Sequence, residues 1–391
     1  MFLALFFVLL VGAVLADLIK GLSANGTPPV LQKLPGQLHL AHFMWSNIMV
    51  IRIIFALALL AVFILTPAGR LIMVVGAIPL GAIWFGVYWL FNKFWVGRVK
   101  FPPLSQKRFV GQSDNELDLS TEVIGLDRGG EQKAFPVNMV TFHHQIVDQI
   151  ADLPIWVTYC GLCRSGRVYD INVDGKSLDF TLVGAISFNA TFEDNQTGTW
   201  WRQETGEAAK GKLQGRVLED VAFEQMTLGN WLKKYPDSQI LQYDPKFIRP
   251  YTFIAKLHNF EATKPGWHMQ ETPDLVIGVE QGGAAKGYDF EQLKARGIVS
   301  DEIGGSPVVL ATDPEKTSVI AYSRDLEGQI LDFSASDAGM VDAQTGSTWD
   351  WLGTCLEGEL KGKKLSQLQS YQQYVRSWIE FHPNTTFYDF A

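Results

Sequence analysis

The first hundred residues contain three long apolar runs separated by short polar segments. The runs lie near residues 1–19, 49–66 and 71–91, and the third has no charged residue in 21 positions. At about 1.5 Å of rise per residue, a helix of this length crosses the roughly 30 Å hydrocarbon core of a bilayer. The pattern therefore predicts two or three transmembrane helices within residues 1–97, with the lipid bilayer as a partner.

Two segments connect these runs. Residues 20–43 contain several Gly and Pro residues and predict an irregular loop, whereas residues 66–70 (T-P-A-G-R) predict a tight turn that makes a helical hairpin. Aromatic residues typical of membrane interfaces lie at or near the ends of the runs. These are Trp45, Trp84, Trp89 and Trp95.

The orientation in the membrane has two opposing indications. Residues 1–16 are either a short span or a cleaved signal peptide, and both alternatives place the C-terminal region outside. The positive-inside rule favours the opposite, because Arg70 alone marks the short turn while five basic residues follow the third run. Since both N-terminal alternatives agree, we predict an extracytoplasmic globular region.

The rest of the chain alternates short apolar runs with Gly-containing turns, and it repeats itself. V-I-G at 123–125 recurs at 276–278, an offset of 153 residues, and D-N-Q-T-G-T-W-W at 194–201 recurs as D-A-Q-T-G-S-T-W at 342–349. We therefore predict a tandem duplication. Its parts are a linker over 98–119, a first lobe over 120–245, a crossover over 246–272 and a second lobe over 273–391.

Each lobe has the pattern of a mixed fold. In the first lobe we predict a hairpin turning at residues 127–130, a helix near 137–150, and then a run of strands with Gly turns. The predicted fold class is α+β and strand-rich: a tandem-duplicated two-lobe domain preceded by two or three transmembrane helices.

Charge and cysteine content limit the partners and the kinds of site that the chain can have. The chain has 33 basic and 41 acidic residues and a net charge of −8, so we predict no nucleic-acid partner. Three cysteines cannot form a disulfide framework. Two of them, Cys160 and Cys163, stand at C-x-x-C spacing between two strand-like runs. That spacing suits a reversible disulfide, two ligands of one metal, or an inert pair.

The repeat sets this motif apart from its surroundings. T-Y-C-G-L-C at 158–163 matches A-T-D-P-E-K at 311–316, so Asp313 and Lys316 replace the two cysteines in the second copy. The fold of a lobe therefore does not need the cysteines. This difference makes Cys160 and Cys163 a candidate functional site.

Two histidines are also specific to the first copy. His143 and His144 precede the motif, and the second copy has Arg and Gly at the matching positions. His144 could complete a zinc or copper site with the two cysteines. Alternatively, His143 is a surface residue and His144 a helix cap or core residue. The cofactor prediction therefore stays open between zinc, copper and none.

Four further polar residues are candidates for lining the site. Arg164 and Arg167 follow the cysteines and could stabilise a thiolate. Arg202 and Gln203 follow the turn at 194–198 and are not kept in the second copy.

Four segments together resemble a known family: V-I-G-L-D, F-H-H-Q-I-V-D, V-T-Y-C-G-L-C-R-S-G-R-V-Y-D and D-N-Q-T-G-T-W-W-R-Q-E-T-G-E-A-A-K-G. The chain resembles, over residues 120–391, the bacterial family catalogued as domain of unknown function 3179. The family pattern implicates Cys160, Cys163 and His144, and Gly161 replaces its usual Pro. Selenocysteine in some relatives implies redox chemistry, and export signals in many imply extracytoplasmic placement. No established activity comes with the resemblance.

We expect an integral membrane protein, in a bacterial inner membrane, whose extracytoplasmic domain acts on an unknown substrate. The leading hypothesis is a thiol redox or soft-metal site at Cys160 and Cys163. The alternative is a non-enzymatic module that binds a ligand or partner at the membrane. The sequence leaves open whether the protein is an enzyme.

Overall fold

The computed structural model describes residues 1–25, 32, 34–161, 163–187, 189–261, 275–336 and 339–390. The chain divides into two compact units. Unit 1 comprises Met1–Pro102 and Leu178–Val217, and unit 2 comprises Pro103–Ser177 and Leu218–Ala391. Part of the predicted crossover, residues 262–272, lies outside the described residues.

The membrane region consists of long apolar helices. They are α1 (Phe2–Asn25), α2 (Gln37–Leu65) and α3 (Arg70–Trp89), followed by a π-helical turn (Leu90–Phe94) and the short α4 (Gly97–Lys100). Among the described residues, three helices are long and apolar enough to cross a membrane, as predicted. The predicted loop over residues 20–43 is shorter than expected, since α1 continues to Asn25 and α2 begins at Gln37.

The strands of the first half of the remaining chain run from residue 109 to residue 241. They are β1 (Phe109–Val110), β2 (Glu122–Arg128), β3 (Glu131–Pro136), β4 (Gln145–Ile150), β5 (Leu153–Cys160), β6 (Ser165–Asp170), β7 (Asn172–Val173), β8 (Lys176–Ser177), β9 (Phe180–Ile186), β10 (Asn189–Asp194), β11 (Trp200–Arg202), β12 (Ala208–Lys210), β13 (Glu224–Thr227) and β14 (Gln239–Leu241). Helix α5 (Val137–His143) lies between β3 and β4, and α6 (Leu228–Lys234) lies between β13 and β14.

The second half follows helix α7 (Ile248–Glu261). Its strands are β15 (Leu275–Gln281), β16 (Ala284–Asp289), β17 (Ile298–Ile303), β18 (Ser306–Thr312), β19 (Val319–Ser323), β20 (Asp325–Leu326), β21 (Gln329–Ile330), β22 (Phe333–Ser336), β23 (Gly339–Asp342), β24 (Thr348–Trp349), β25 (Cys355–Glu357), β26 (Gln367–Leu368), β27 (Ser370–Tyr374) and β28 (Thr386–Phe387). Helix α8 (Phe290–Arg296) follows β16, and α9 (Val375–Phe381) follows β27.

Sheet pairing in the second half parallels that in the first. The order β13–β2–β3–β14 has the counterpart β27–β15–β16–β28, and in each the last pair is parallel while the others are antiparallel. The orders β4–β5–β6 and β9–β10–β11–β12 have the counterparts β17–β18–β19 and β22–β23–β24–β25. The fold is therefore α+β and strand-rich, as predicted. An origin by duplication stays a prediction.

The repeated V-I-G motif has a packing reason. A Cβ atom on Gly125 would lie 2.3 Å from the Trp231 ring, and one on Gly278 would lie 2.3 Å from the Trp378 ring. Each tryptophan comes from the helix that follows the partner strand, α6 or α9. Only glycine leaves room for the ring at these positions, so the motif and the distant tryptophan belong together.

The predicted helix near residues 137–150 is wrong over its second half. Helix α5 ends at His143, and residues 145–150 form β4, which pairs antiparallel with β5. His144 adopts a left-handed conformation, with φ of 63°, and this breaks the helix. The inward residues of β4, Ile146 and Ile150, are buried, as the alternating pattern of a strand requires.

Unit 1 contains helices α1–α4 and the sheet β9–β12. Val183, Ile186 and Trp200 of this sheet pack with Ala24 of α1 and Ala41 of α2 in one hydrophobic cluster. In unit 2, both halves of the repeat contribute to shared cores, and one of them joins Trp231 to Trp349. The cysteine-bearing hairpin β5–β6 belongs to unit 2.

Candidate functional site

The cysteines lie in the turn of a regular hairpin. Strands β5 and β6 pair antiparallel up to Cys160 and Ser165, and Cys163 N–H donates to the Cys160 carbonyl at 3.1 Å. Arg164 completes the turn with a φ of 53°. A Cβ atom on Gly161 would lie 2.9 Å from Thr141 Cγ2, so this residue is tightly enclosed by α5.

The two sulfur atoms are adjacent and buried. Cys160 and Cys163 are 2% and 1% exposed, and their Sγ atoms are 2.7 Å apart. No disulfide bond joins these two sulfur atoms in the structure. A disulfide has an S–S bond of about 2.05 Å and needs this kind of neighbouring placement. The motif predicted from spacing is thus a pair in space as well.

A charged cluster lies beside the turn. The Arg164 guanidinium is 15% exposed, and its Nη2 is 3.5 Å from Glu122 Oε2. Although burial alone lowers the pKa of Arg164, the Glu122 carboxylate and the Tyr159 hydroxyl raise it above its usual value. Burial also raises the pKa of Tyr159, which therefore stays a neutral phenol. Arg164 thus keeps a positive charge in a largely buried position next to the cysteines.

Residues from the second half of the repeat contact the cysteine turn and strand β6. Tyr374 N–H, at the end of β27, donates to the Cys163 carbonyl at 3.0 Å. The Arg167 guanidinium lies 3.5 Å from the centre of the Tyr371 ring, and Arg167 is 3% exposed. A cation stacked on an aromatic ring in a desolvated place is stabilised by about 2 kcal/mol. The cysteine turn therefore lies where the two halves meet within unit 2.

The matching turn of the second half shows what this framework can hold. Asp313 occupies the position of Cys160, and its carboxylate accepts hydrogen bonds from the backbone N–H of Thr317 at 2.7 Å and of Ser318 at 2.5 Å. Asn230 Nδ2 adds a third at 3.0 Å. Burial raises the pKa of Asp313, but these hydrogen bonds outweigh burial and lower it below its usual value. The matching turn therefore stabilises a negative charge.

His143 and His144 lie in different environments. His143 is buried, and its Nε2 is 2.7 Å from Tyr251 Oη among the rings of Phe142 and Phe247. His143 is therefore a core residue, and the alternative that placed it at the surface is wrong. His144 caps α5, and its carbonyl accepts from Tyr159 N–H at 3.3 Å.

Within the described part of the chain, no group of three or more His, Cys, Asp or Glu residues is placed to hold a metal ion. A site formed by Cys160, Cys163 and His144 stays a prediction.

Arg202 and Gln203 have partners in unit 1. Arg202 Nε is 3.6 Å from Glu207 Oε2, and Gln203 Oε1 accepts from Asn189 Nδ2 at 2.9 Å. Gln203 is fully buried. These contacts hold the sheet β9–β12 together, and a role beside the cysteines stays a prediction.

Sequence reasoning missed Glu122 and Tyr374. They lie 38 residues before and 214 residues after Cys160, and only the fold brings them to the turn. For Glu122 the repeat carried a usable signal, because the matching residue Leu275 has no charge. Tyr374 contacts the turn through its backbone N–H, so its side chain carried no such signal.

The segment before the first repeat is also part of the domain. Ser105 Oγ and N–H donate to Asp244 Oδ2 at 2.6 and 2.7 Å, and β1 pairs with β14. The predicted linker over 98–119 is therefore not a free connection.

Comparison with known proteins agrees with this wider boundary. The family model described as "Protein of unknown function (DUF3179)" matches residues 98–385. No curated protein and no solved structure matches the chain. Because the family model covers well over half of the chain, the protein belongs to this family of unknown function, DUF3179.

Proposed function

We propose that this protein is a membrane-anchored thiol redox protein in which Cys160 and Cys163 cycle between dithiol and disulfide. The proposal rests on one observation: two adjacent buried thiols, 2.7 Å apart, occupy a turn whose counterpart holds Asp313 and Lys316 instead. The same framework forms without cysteines, so the fold alone does not account for them.

The redox step is a thiol–disulfide exchange. The thiolate of one cysteine attacks a sulfur of a substrate disulfide, and a mixed disulfide forms while one substrate thiolate leaves. The second cysteine then attacks the mixed disulfide and releases the other substrate thiol. Two protein thiols are oxidised to a disulfide, and one substrate disulfide is reduced to two thiols.

The surroundings favour a thiolate. Arg164 supplies a nearby positive charge, and the position of Cys160 corresponds to that of the anionic Asp313. A positive charge close to a sulfur atom stabilises its thiolate, and we propose that Arg164 has this effect although it also pairs with Glu122. Because Cys160 and Cys163 are only 2% and 1% exposed, a folded protein cannot reach them unless the turn moves. A small-molecule disulfide likewise reaches the sulfur atoms only when the turn moves, so the size of the substrate is left open.

A thiol count on the purified full-length chain tests the exchange. After equilibration with excess oxidised glutathione and denaturation, one thiol should titrate, that of Cys355, and after reduction all three should titrate. In the Cys355→Ser variant, no thiol should titrate after oxidation and two should titrate after reduction. If the oxidised wild-type chain still titrates three thiols, the pair does not cycle.

A metal assay separates the alternative chemistry at the same residues. Elemental analysis of the chain as purified should show no stoichiometric zinc or copper. One equivalent of metal that is lost in both Cys163→Ser and His144→Ala variants would replace the redox proposal with a metal site.

A second candidate function, ligand binding, rests on a cavity in the second half of the repeat. The cavity has a volume of about 400 Å³ and is lined by Glu280, the turn at 281–283 and His382. His382 Nε2 is 3.0 Å from Glu280 Oε1, and its ring stacks on Trp378 at 3.7 Å. Full cellular function in a Cys160→Ser, Cys163→Ser double variant, with loss in Glu280→Gln, would favour this module over redox chemistry.

We further propose that the globular region is extracytoplasmic in a bacterial inner membrane. The three apolar helices support this placement if the N-terminus lies inside. Alkaline phosphatase fused to the C-terminus should be active, and green fluorescent protein at the same place should be dark. The reverse pattern would place the region in the cytoplasm.

A further inference from the structure

Unit 1 contains a cavity that belongs neither to the cysteine turn nor to the ligand cavity above. Its volume is about 580 Å³, and it lies between α2 and the turns of the sheet β9–β12. It is a shallow and open depression rather than an enclosed pocket. His42, Trp45 and Ser46 line it from the helix, and Glu193, Gly211 and Lys212 line it from the sheet.

From its position along α2, we expect the cavity at the level of lipid headgroups. The apolar part of α2 begins at Ile48 and ends at Leu65, a length of about 27 Å at 1.5 Å per residue, which matches a bilayer core. His42 and Trp45 lie one to two turns before Ile48. The Lys20 ammonium lies 4.6 Å from the centre of the Trp45 ring, a pairing typical of the membrane interface.

The residues that line this cavity differ between the two halves of the repeat, whereas the turn that holds them is the same. In both halves the turn Asp accepts from a Trp indole N–H at 2.9 Å, as Asp194 does from Trp201. The lining residues Glu193 and Lys212, in contrast, correspond to Val341 and Glu359 in the second half. The shared turn therefore does not require a carboxylate and an ammonium at these places.

The lining has complementary charges in one small space. Glu193 is fixed, because its Oε2 accepts from Trp200 Nε1 at 2.9 Å. The Trp200 ring in turn lies edge-to-face against His42, with centroids 5.1 Å apart. Lys212 supplies the opposite charge from the next turn of the sheet. A group with one cation and one anion fits this arrangement.

We propose that this cavity binds the phosphoethanolamine headgroup of a membrane phospholipid. Lys212 and His42 bind the phosphate, and Glu193 binds the ammonium. The acyl chains then lie along the apolar part of α2. The inference does not depend on the cysteine chemistry.

Native mass spectrometry of the purified full-length chain in detergent provides the test. At equal concentrations, phosphatidylethanolamine should be retained at least tenfold more than phosphatidylglycerol, which lacks the ammonium. Lys212→Glu should lower retention of phosphatidylethanolamine about tenfold, and Glu193→Gln should make retention of the two lipids equal. Lys361→Glu, the same charge change in the matching turn of the second half, should have no effect.

Three results would overturn the proposal. They are equal retention of both lipids by the wild-type chain, unchanged retention in Lys212→Glu with an unaltered circular dichroism spectrum, and retention lost equally in Lys361→Glu. A further arm distinguishes the source of the headgroup. If free phosphoethanolamine at equal concentration displaces the lipid, the ligand is a soluble metabolite, and the lipid assignment fails.

Discussion

Asp313 and Cys160 occupy matching positions, and the difference between them is a difference in what a buried turn stabilises. The carboxylate of Asp313 receives two backbone N–H groups and the Asn230 amide. Each charge-assisted hydrogen bond contributes about 1.5–3 kcal/mol. The single residue at this position therefore changes the turn from a structural junction into a candidate reactive site.

Asp313→Asn should make the stability of the folded state less dependent on pH in the acid range. The pKa of Asp313 is lowered in the native state, so its stabilisation is complete above the unfolded-state pKa of about 3.9 and is lost as the pH falls through the folded value. The variant should be less stable at pH 7 by about 1–3 kcal/mol. Thermal melts between pH 7 and pH 2 should converge for the two chains, and a constant gap would contradict the assignment.

Ser377 is the residue that corresponds to Asn230. It is 3% exposed in the first turn of α9, and within the described residues its Oγ has no hydrogen-bond partner. A buried hydroxyl without a partner is unfavourable, so Ser377→Ala should leave the free energy of unfolding unchanged or raise it by about 1 kcal/mol. Denaturant melts measure this directly, and a loss of more than that would show that the hydroxyl has a structural partner.

The same variant should be alkylated at Cys160 at an unchanged rate, because the Ser377 hydroxyl has no hydrogen-bond partner among the described residues. Iodoacetamide labelling followed by peptide mass spectrometry measures the rate. Burial raises the pKa of Cys355, whose labelling should be slow in both chains and serves as the internal control.

Helix α1 illustrates how a membrane element is held by a few specific contacts. Asp17 is fully buried and forms an ion pair with Arg52 of α2, and it also accepts from Trp84 Nε1 of α3 at 2.7 Å. Charged residues within membrane helices are costly unless they are paired. The pair therefore fixes which faces of the three helices meet.

Arg52→Leu alone should destabilise the helices strongly, because it leaves the buried Asp17 charge without its partner. A broken buried pair costs about 3–5 kcal/mol, whereas replacement of both partners by apolar residues is often neutral. The double variant Asp17→Leu, Arg52→Leu should therefore recover most of the loss. Unfolding in increasing dodecyl sulfate measures this, and additive losses would contradict coupling.

At the level of elements, the sequence predicted most of what depends on local pattern. The apolar runs predicted the helices, whereas the packing of a distant tryptophan ring on the glycine of V-I-G was not predicted. The helix over 137–150 was wrong because its apolar residues fit both periods, and only His144 ends it. Likewise, hydropathy contained no sign that Trp200 packs against α1 and α2 rather than within its own half.

At the level of the whole molecule, the cysteine motif was predictable and its environment was not. Spacing identified Cys160 and Cys163, and the repeat marked them as special. Glu122 and Tyr374 reach the turn through sheet pairing between segments far apart in the chain, which no local pattern encodes. The family match extends the domain but adds no activity. We propose that the two halves arose by duplication, since their sheet orders agree.

The chain crosses between the two compact units more than once. It passes from unit 1 to unit 2 after Pro102, returns at Leu178 and leaves again after Val217. A protease that cuts near residue 102 would therefore not release a water-soluble fragment. The sheet β9–β12 would stay attached to the fragment after losing the helices that cover it.

A truncated chain that begins at residue 103 should consequently aggregate. It would expose Val183, Ile186 and Trp200, which are buried against α1 and α2 in the intact protein. Size-exclusion chromatography without detergent should show the truncated chain in the void volume, and charged substitutions at Val183 and Ile186 should shift it towards the monomer. A monodisperse truncated wild-type chain would contradict this expectation. Expression trials should therefore treat the anchor and the domain as inseparable.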